Sequence, residues 1–237
     1  METGPYQSDF LVLGTGIAGL SYALRVADHG SVSVLCKGEA TLTNTSWAQG
    51  GIAAVWDGAD SVEDHVGDTV TAGVSLADLE TVSDILQDGP RAVQQLIDWG
   101  VEFDPSEGGD DGDSAHDLTM EGGHSARRIL HSGDMTGAEI QRALLASLAA
   151  HPSVTLFEHH VAIDLVTERK VRRHLAKRRL GLMGREVELR YGPGGPEGWM
   201  PGQGDRCLGA YVLDEKSGDV RVFAARVTLL ATGGAGK

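Results

Sequence analysis

The run Asp9-Phe10-Leu11-Val12-Leu13-Gly14-Thr15-Gly16-Ile17-Ala18-Gly19 constrains the fold more than any other stretch of the chain. Apolar, β-prone residues lead into Gly-x-Gly-x-x-Gly, after which Leu20, Ala23, Leu24 and Ala27 recur at helical spacing. A strand, a tight glycine turn and a helix in that order hold a dinucleotide pyrophosphate. Gly14 permits the turn, Gly16 lets the backbone approach the phosphates, and Gly19 lets helix and strand pack closely. The helix amino end adds N–H groups and the positive end of a dipole. Thr15, Ile17 and Ala18 complete the binding turn. Gly30 ends the helix, and Ser31 to Cys36, with Val32, Val34 and Cys36 alternating, reads as a second parallel strand. The opening is therefore a βαβ unit.

An acidic residue usually ends the second strand of such a unit and binds a ribose hydroxyl. Here Cys36-Lys37-Gly38 stands in its place. That departure argues against NAD and leaves FAD or NADP open. Lys37 is either a contact to adenosine or phosphate or a solvated loop lysine. Near the other end, Leu229-Leu230-Ala231-Thr232-Gly233-Gly234 is a buried strand running into a glycine-rich turn, a common companion of the first motif in FAD enzymes. Thr232 and Gly233 would close over the pyrophosphate.

Between these motifs, Ser61 and Asp64 form a capping box ahead of a helix. Leu79, Val82, Ile85 and Leu86 mark a longer helical region, which Pro90 is expected to interrupt and restart and Gly100 to close. Pro105 to Asp117 reads as an acidic surface loop. Thr136 and Glu139 suggest another capping box, opening a helix with Ile140, Ala143, Leu144 and Leu148 on its apolar face. Val154 to Phe157 and Val161 to Val166 are strand-like, and Arg206 to Leu213 with Val220 to Ala231 form a hairpin around Lys216-Ser217-Gly218. The expected class is α/β: a Rossmann-like FAD-binding domain with an inserted β-hairpin or meander, over residues 1–237.

Composition narrows the function. A net charge of -14 argues against a nucleic-acid binder. No run approaches the roughly 18 apolar residues of a membrane span, and the amino terminus lacks a signal-peptide pattern. Cys36 and Cys207 are the two cysteines and show no metal-ligand spacing, so a reduced, cytoplasmic protein without a metal is expected. Charge is uneven, however. Arg169 to Arg190 holds nine of the 20 Lys and Arg residues. The segment from about 167 to 205 reads as a basic surface insertion, or as a contact for an acidic partner.

Two further strings carry chemistry. Asn44-Thr45-Ser46-Trp47-Ala48-Gln49-Gly50-Gly51-Ile52-Ala53-Ala54 places hydroxyls beside a Gly-Gly pair, which suits a loop lying along a phosphate or flavin ring. Glu121-Gly122-Gly123-His124-Ser125-Ala126-Arg127-Arg128-Ile129-Leu130-His131 is followed by Asp134-Met135-Thr136-Gly137. With Gly14–Gly19 and Leu230-Ala231-Thr232-Gly233-Gly234, these strings resemble the L-aspartate oxidase family, within the succinate dehydrogenase and fumarate reductase flavoproteins. The resemblance covers nearly the whole chain.

What the resemblance implies is specific. It implies non-covalent FAD, oxidation of L-aspartate to iminoaspartate, reoxidation by oxygen or fumarate, and delivery of the product to quinolinate synthase for NAD synthesis. It places Glu121 near the substrate's amino group, where negative charge favours aspartate over succinate. A desolvated ammonium needs such a counter-charge. His124 would face the flavin, and a buried arginine of the string, with Arg127 as a candidate, would pair with Asp134 or a substrate carboxylate. Val161 lies on a strand whose backbone touches adenine in related folds. Succinate dehydrogenase flavoproteins attach FAD through a histidine four positions before the Ala of Ala-Gln-Gly-Gly; Asn44 stands there, which favours the oxidase. The family's capping domain, with its carboxylate-binding arginines and acid/base residues, follows the Ala-Thr-Gly-Gly turn. The chain is therefore expected to be an amino-terminal portion, truncated before that domain.

Overall fold

The computed structural model describes residues 5–106, 116–179 and 205–234. Along the chain run β1 (Tyr6–Leu13), α1 (Ile17–Val26), β2 (Val32–Leu35), β3 (Ile52–Ala53), α2 (Val62–Ala72), α3 (Leu79–Asp98), β4 (Leu118–Thr119), β5 (Ile129–Leu130), α4 (Thr136–Ala150), β6 (Val154–Phe157), β7 (His160–Thr167), α5 (Glu168–Arg179), β8 (Cys207–Asp214) and β9 (Val220–Leu230). They fall into two compact units, Met1–Ala40 with His151–Lys237, and Thr41–Ala150.

The first unit is a six-stranded sheet ordered β6-β2-β1-β9-β8-β7. Leu11, Val12, Val32 and Val34 are almost wholly buried, as strands covered on both faces require. They pair in parallel, Phe10 with Val32 and Val12 with Val34. β9 changes the sheet's character. It runs parallel to β1, from Tyr6 opposite Phe223 to Leu13 opposite Leu230, and antiparallel to β8, from Val220 opposite Leu213 to Ala224 opposite Gly209. The expected hairpin is thus β8 and β9, and with β7 it makes the meander. Leu11, Leu13, Leu35, Ala210, Val212 and Phe223 form the core, with Tyr6 and Phe157 packed against it. The Tyr6 and Phe223 rings stack with centroids 4.5 Å apart, and Phe157 meets Phe223 edge-on at 5.0 Å. Such pairs each add about 0.5–1.5 kcal/mol beyond burial.

The basic segment opens as helix α5, whose Lys170 and Arg169 pair with Asp164 and Asp205. Its continuation over 180–204 lies outside the described residues, as does 107–115 of the acidic loop.

The second unit joins three helices to a small antiparallel sheet ordered β3-β5-β4. At α2 the cap half of the expected box forms, Ser61 Oγ accepting the Asp64 N–H at 3.0 Å, but the Ser61 N–H goes to Asp60 Oδ1 at 2.9 Å while its hydroxyl donates to the Asp64 carboxylate at 2.7 Å. Two other expectations need correction. α3 does not break at Pro90 but runs through it. Gly89 before it has no Cβ to clash with the proline ring, Asp78 caps the helix start by accepting the Thr81 N–H, and buried Val93 and Leu96 hold the second half. Gly100, at φ +90°, does follow the helix end. At α4 the expected capping box gives way to longer-range partners. Thr136 Oγ1 accepts the Ser132 N–H, and Glu139 accepts the Glu102 N–H while binding Arg142.

Candidate functional site: a nucleotide turn and a carboxylate loop

In the first unit, the Gly14 N–H donates to the Leu35 carbonyl at 2.8 Å, fastening the glycine turn to the end of β2. Gly14 has φ +119°, and a Cβ there would overlap the Ala231 carbonyl; one on Gly19 would overlap the Gly14 carbonyl. Both glycines are therefore dictated by backbone-to-backbone approach. The Ala231 N–H bonds the Leu13 carbonyl at 2.9 Å, which sets Thr232 and Gly233, both exposed, beside the turn. Helix α1 starts at an extended Gly16 that has no side chain to cap it, carries no acidic residue in its first turn and ends with Arg25. Its amino-terminal dipole is left for an external anion. A pyrophosphate suits a helix amino end left without a side-chain cap or an acidic first turn.

The end of β2 shows what replaces the missing acid. Cys36 is buried and donates its thiol to the Gly38 carbonyl at 3.1 Å. Burial pushes that thiol's pKa up, so it acts as a neutral donor. The Cys36 carbonyl accepts the His160 N–H at 2.8 Å, which brings the start of β7, and with it Val161, alongside Cys36. Lys37 is exposed there. Glu158, which sequence reasoning missed, accepts the Ala40 N–H at 2.7 Å and fixes the chain as it leaves β2. No local pattern marks it, because its partner lies 118 residues away.

In the second unit, Thr45 and Ser46 lie on the inner side of their loop. Ser46 Oγ donates to the Thr43 carbonyl at 2.7 Å, Thr43 Oγ1 donates to Gln141 at 3.1 Å, and the Ala48 carbonyl accepts the Gly137 N–H at 3.0 Å. Loop and α4 are thereby joined, and Asn44, Trp47, Ala48, Gln49, Gly50 and Gly51 are left exposed. Trp47 is 68% exposed.

Glu121 follows β4 in the loop that leads to β5. It is exposed, and its Oε1 lies 3.4 Å from where a Cβ on Gly50 would stand. The structure thus joins the two strings that the sequence singled out. Arg127 is exposed and donates to the Leu118 carbonyl at 3.2 Å. The buried arginine of the string is Arg128, and its partners are Asp60 and Asp68, where the sequence had suggested Asp134. Arg128 has no exposed surface. It binds Asp60 through Nε and Nη2, each at 2.8 Å, and Asp68 through Nη1 at 2.7 Å. Burial works against its charge, but the two carboxylates outweigh that and raise its pKa.

Asp68 Oδ2 also accepts the Ser125 N–H at 2.7 Å and the Ser125 hydroxyl at 2.8 Å. Those bonds to Ser125, then the one to Arg128, lower its pKa to about 2. His124 Nδ1 stands 3.5 Å from Arg128 Nη1, and its ring centroid is 5.7 Å from that of buried His65 on α2. Burial, then the Arg128 charge, lowers the His65 pKa. Asp60, His65 and Asp68 were missed from sequence, since they pair with the Glu121 string only through the fold.

Among the described residues no helix is long and apolar enough to cross a membrane. Residues 9–237 match the family model described as an FAD binding domain. The chain is 43% identical over 234 residues to an L-aspartate oxidase of Pseudomonas aeruginosa, covering 98% of this chain and 38% of that protein. It is 41% identical over 228 residues to the chloroplastic L-aspartate oxidase of Arabidopsis thaliana, covering 96% of this chain and 30% of the relative. Among solved structures, an E. coli quinol fumarate reductase aligns with TM-score 0.76 at 23% identity, over 99% of this chain and 34% of the other. The Mycobacterium smegmatis Sdh1 complex aligns with TM-score 0.73 at 24% identity, over 98% and 35%. The chain spans well under half the length of these relatives, and both structural likenesses show a shared fold. With its parallel sheet, glycine turn and meander, the chain belongs to the FAD binding domain family.

Proposed function

We propose that this chain is the FAD-binding part of an L-aspartate oxidase, which converts L-aspartate to iminoaspartate and passes the electrons to oxygen or fumarate. The observation that carries this reading is Glu121, held exposed beside Gly50 in a protein 43% identical to an aspartate oxidase. FAD, when bound, supplies the acceptor for the hydride that leaves the substrate Cα. The remaining work falls to side chains. Gly14, Thr15, Gly16, Ile17, Ala18 and Gly19, with Thr232 and Gly233, would hold the pyrophosphate. Val161 and Lys37 would border the adenosine. The exposed backbone from Asn44 to Gly51 would lie along the flavin.

Glu121 would face the substrate ammonium, a charge that succinate lacks, and so prefer aspartate. The bound ammonium must first lose a proton to solvent or a base, because the amine must be neutral as the hydride leaves Cα; the product is then the protonated imine. His124 would border the same region, and Arg127 would be available to a carboxylate. Iminoaspartate would then pass to quinolinate synthase.

FAD is proposed to be non-covalent, because Asn44 has no imidazole to form the histidyl bond of the dehydrogenases. Acid precipitation of the holoprotein is expected to release all the flavin; flavin remaining in the pellet would contradict this. In the full-length protein, Glu121→Gln is expected to lower kcat/KM for L-aspartate about ten- to a hundredfold, the scale of a lost charge-assisted contact, while succinate is unaffected. An unchanged aspartate-to-succinate ratio would sink the role of Glu121. Two other readings have separate signatures. A fumarate reductase-like flavoprotein, suggested by the shared fold, would reduce fumarate and ignore aspartate. A catalytically inert flavin-binding fragment would hold FAD without turnover.

A further inference from the structure

We propose that Ser125, gripped by Asp68 of α2, is a positioning residue for Glu121, so that α2 sets the place of the carboxylate meeting the substrate amine. This rests on the reading of Glu121 given above.

Between β4 and β5 the loop is pinned at its base. Leu118 pairs with Leu130, Thr119 with Ile129, and the Arg128 N–H reaches the Thr119 carbonyl at 3.2 Å. Gly122 and Gly123 separate Glu121 from the rest of the loop, and such a pair has little stiffness of its own. Two contacts remove that freedom. The His124 N–H closes a turn onto the Glu121 carbonyl at 3.2 Å, and Ser125 gives both its N–H and its hydroxyl to one oxygen, Asp68 Oδ2.

That oxygen is itself immobilised. Arg128 Nη1 bonds it at 2.7 Å, and the rest of the guanidinium is clasped by Asp60, whose side chain is 2% exposed and stands just before the Ser61 cap of α2. Asp60 and Asp68 thus tie the start and the middle of α2 to the residue that leaves the loop. Ser125 is the joint between this rigid assembly and Glu121. Its own side chain is exposed and packs against no core, so its removal is expected to act through position rather than folding.

The test uses the full-length, FAD-loaded protein with Ser125→Ala, Asp68→Asn, Glu121→Gln and the double variant Ser125→Ala/Glu121→Gln. Ser125→Ala is expected to raise KM for L-aspartate about fivefold, the scale of one hydrogen bond, with kcat and succinate kinetics unchanged and Tm lowered by no more than about 2–4 °C. Amide hydrogen exchange over Gly122 to Arg127 is expected to accelerate in the same variant. In the Glu121→Gln background, Ser125→Ala is expected to add nothing to the aspartate defect.

Equal effects of Ser125→Ala with and without Glu121 would overturn the proposal. So would unchanged discrimination in Ser125→Ala while Glu121→Gln abolishes it. If Glu121→Gln itself leaves discrimination unchanged, the reading of Glu121 falls, and this proposal falls with it. Asp68→Asn is expected to exceed Ser125→Ala in size; should it fail to fold, the Ser125→Ala results decide alone.

Discussion

Gly14 and Arg128 show how single residues constrain this molecule, one through the backbone and the other through charge. At Gly14 the conformation is left-handed and the Ala231 carbonyl occupies the space of a side chain. Gly14→Ala would strain the turn by about 1–3 kcal/mol and push β9 away from it. FAD affinity is expected to fall about tenfold or more, read by titration of flavin fluorescence. Arg128 is a different case, because its full burial is tolerated only with both carboxylates in place. Arg128→Met would leave Asp60 buried without a counter-charge, at a cost of about 3–5 kcal/mol in urea unfolding. Gly14 was legible in the sequence because its neighbours along the chain define the motif. Arg128 was legible only as part of a string, since its partner Asp60 is 68 residues away.

At the scale of elements, α2 and α3 carry tests of their own. α2 holds His65 and Asp68, whose pKa values are both depressed. Unfolded His65 takes up its proton near 6.5, whereas folded His65 does so only at lower pH; its contribution is complete above 6.5 and declines as pH falls below that value. For Asp68 the contribution is complete above 3.8 and is lost as pH falls toward about 2. Stability from urea unfolding is therefore expected to drop on acidification through 6.5, and His65→Gln is expected to flatten that slope. A slope unchanged by the substitution would show that other histidines dominate.

In α3 the proline remains a local defect despite its accommodation. Pro90→Ala is expected to stabilise the protein by about 1–3 kcal/mol, because alanine restores a backbone donor to the helix. The βαβ unit and the β8–β9 hairpin could be read from sequence because apolar runs and turn residues specify them locally. Pro90 and the Thr136–Glu139 pair could not. Buried Val93 and Leu96 override the local signal at Pro90, and at α4 the long-range bond from Glu102 to Glu139, with a local one from Ser132 to Thr136, does so.

For the whole molecule, the candidate site was legible as two strings but not as an assembly. Sequence marked Glu121 and Gly50 as parts of separate motifs, and the fold places them side by side. It gave no sign that a helix in between, α2, grips the Glu121 loop through Asp68. The cationic start of α5 is partly neutralised by Asp164 and Asp205.

The most direct measurement is an anaerobic challenge of the full-length, FAD-loaded protein, following the visible flavin band. L-Aspartate is expected to bleach the band promptly and succinate to leave it intact. Bleaching by succinate with no response to L-aspartate would contradict the account and place the protein with the dicarboxylate dehydrogenases.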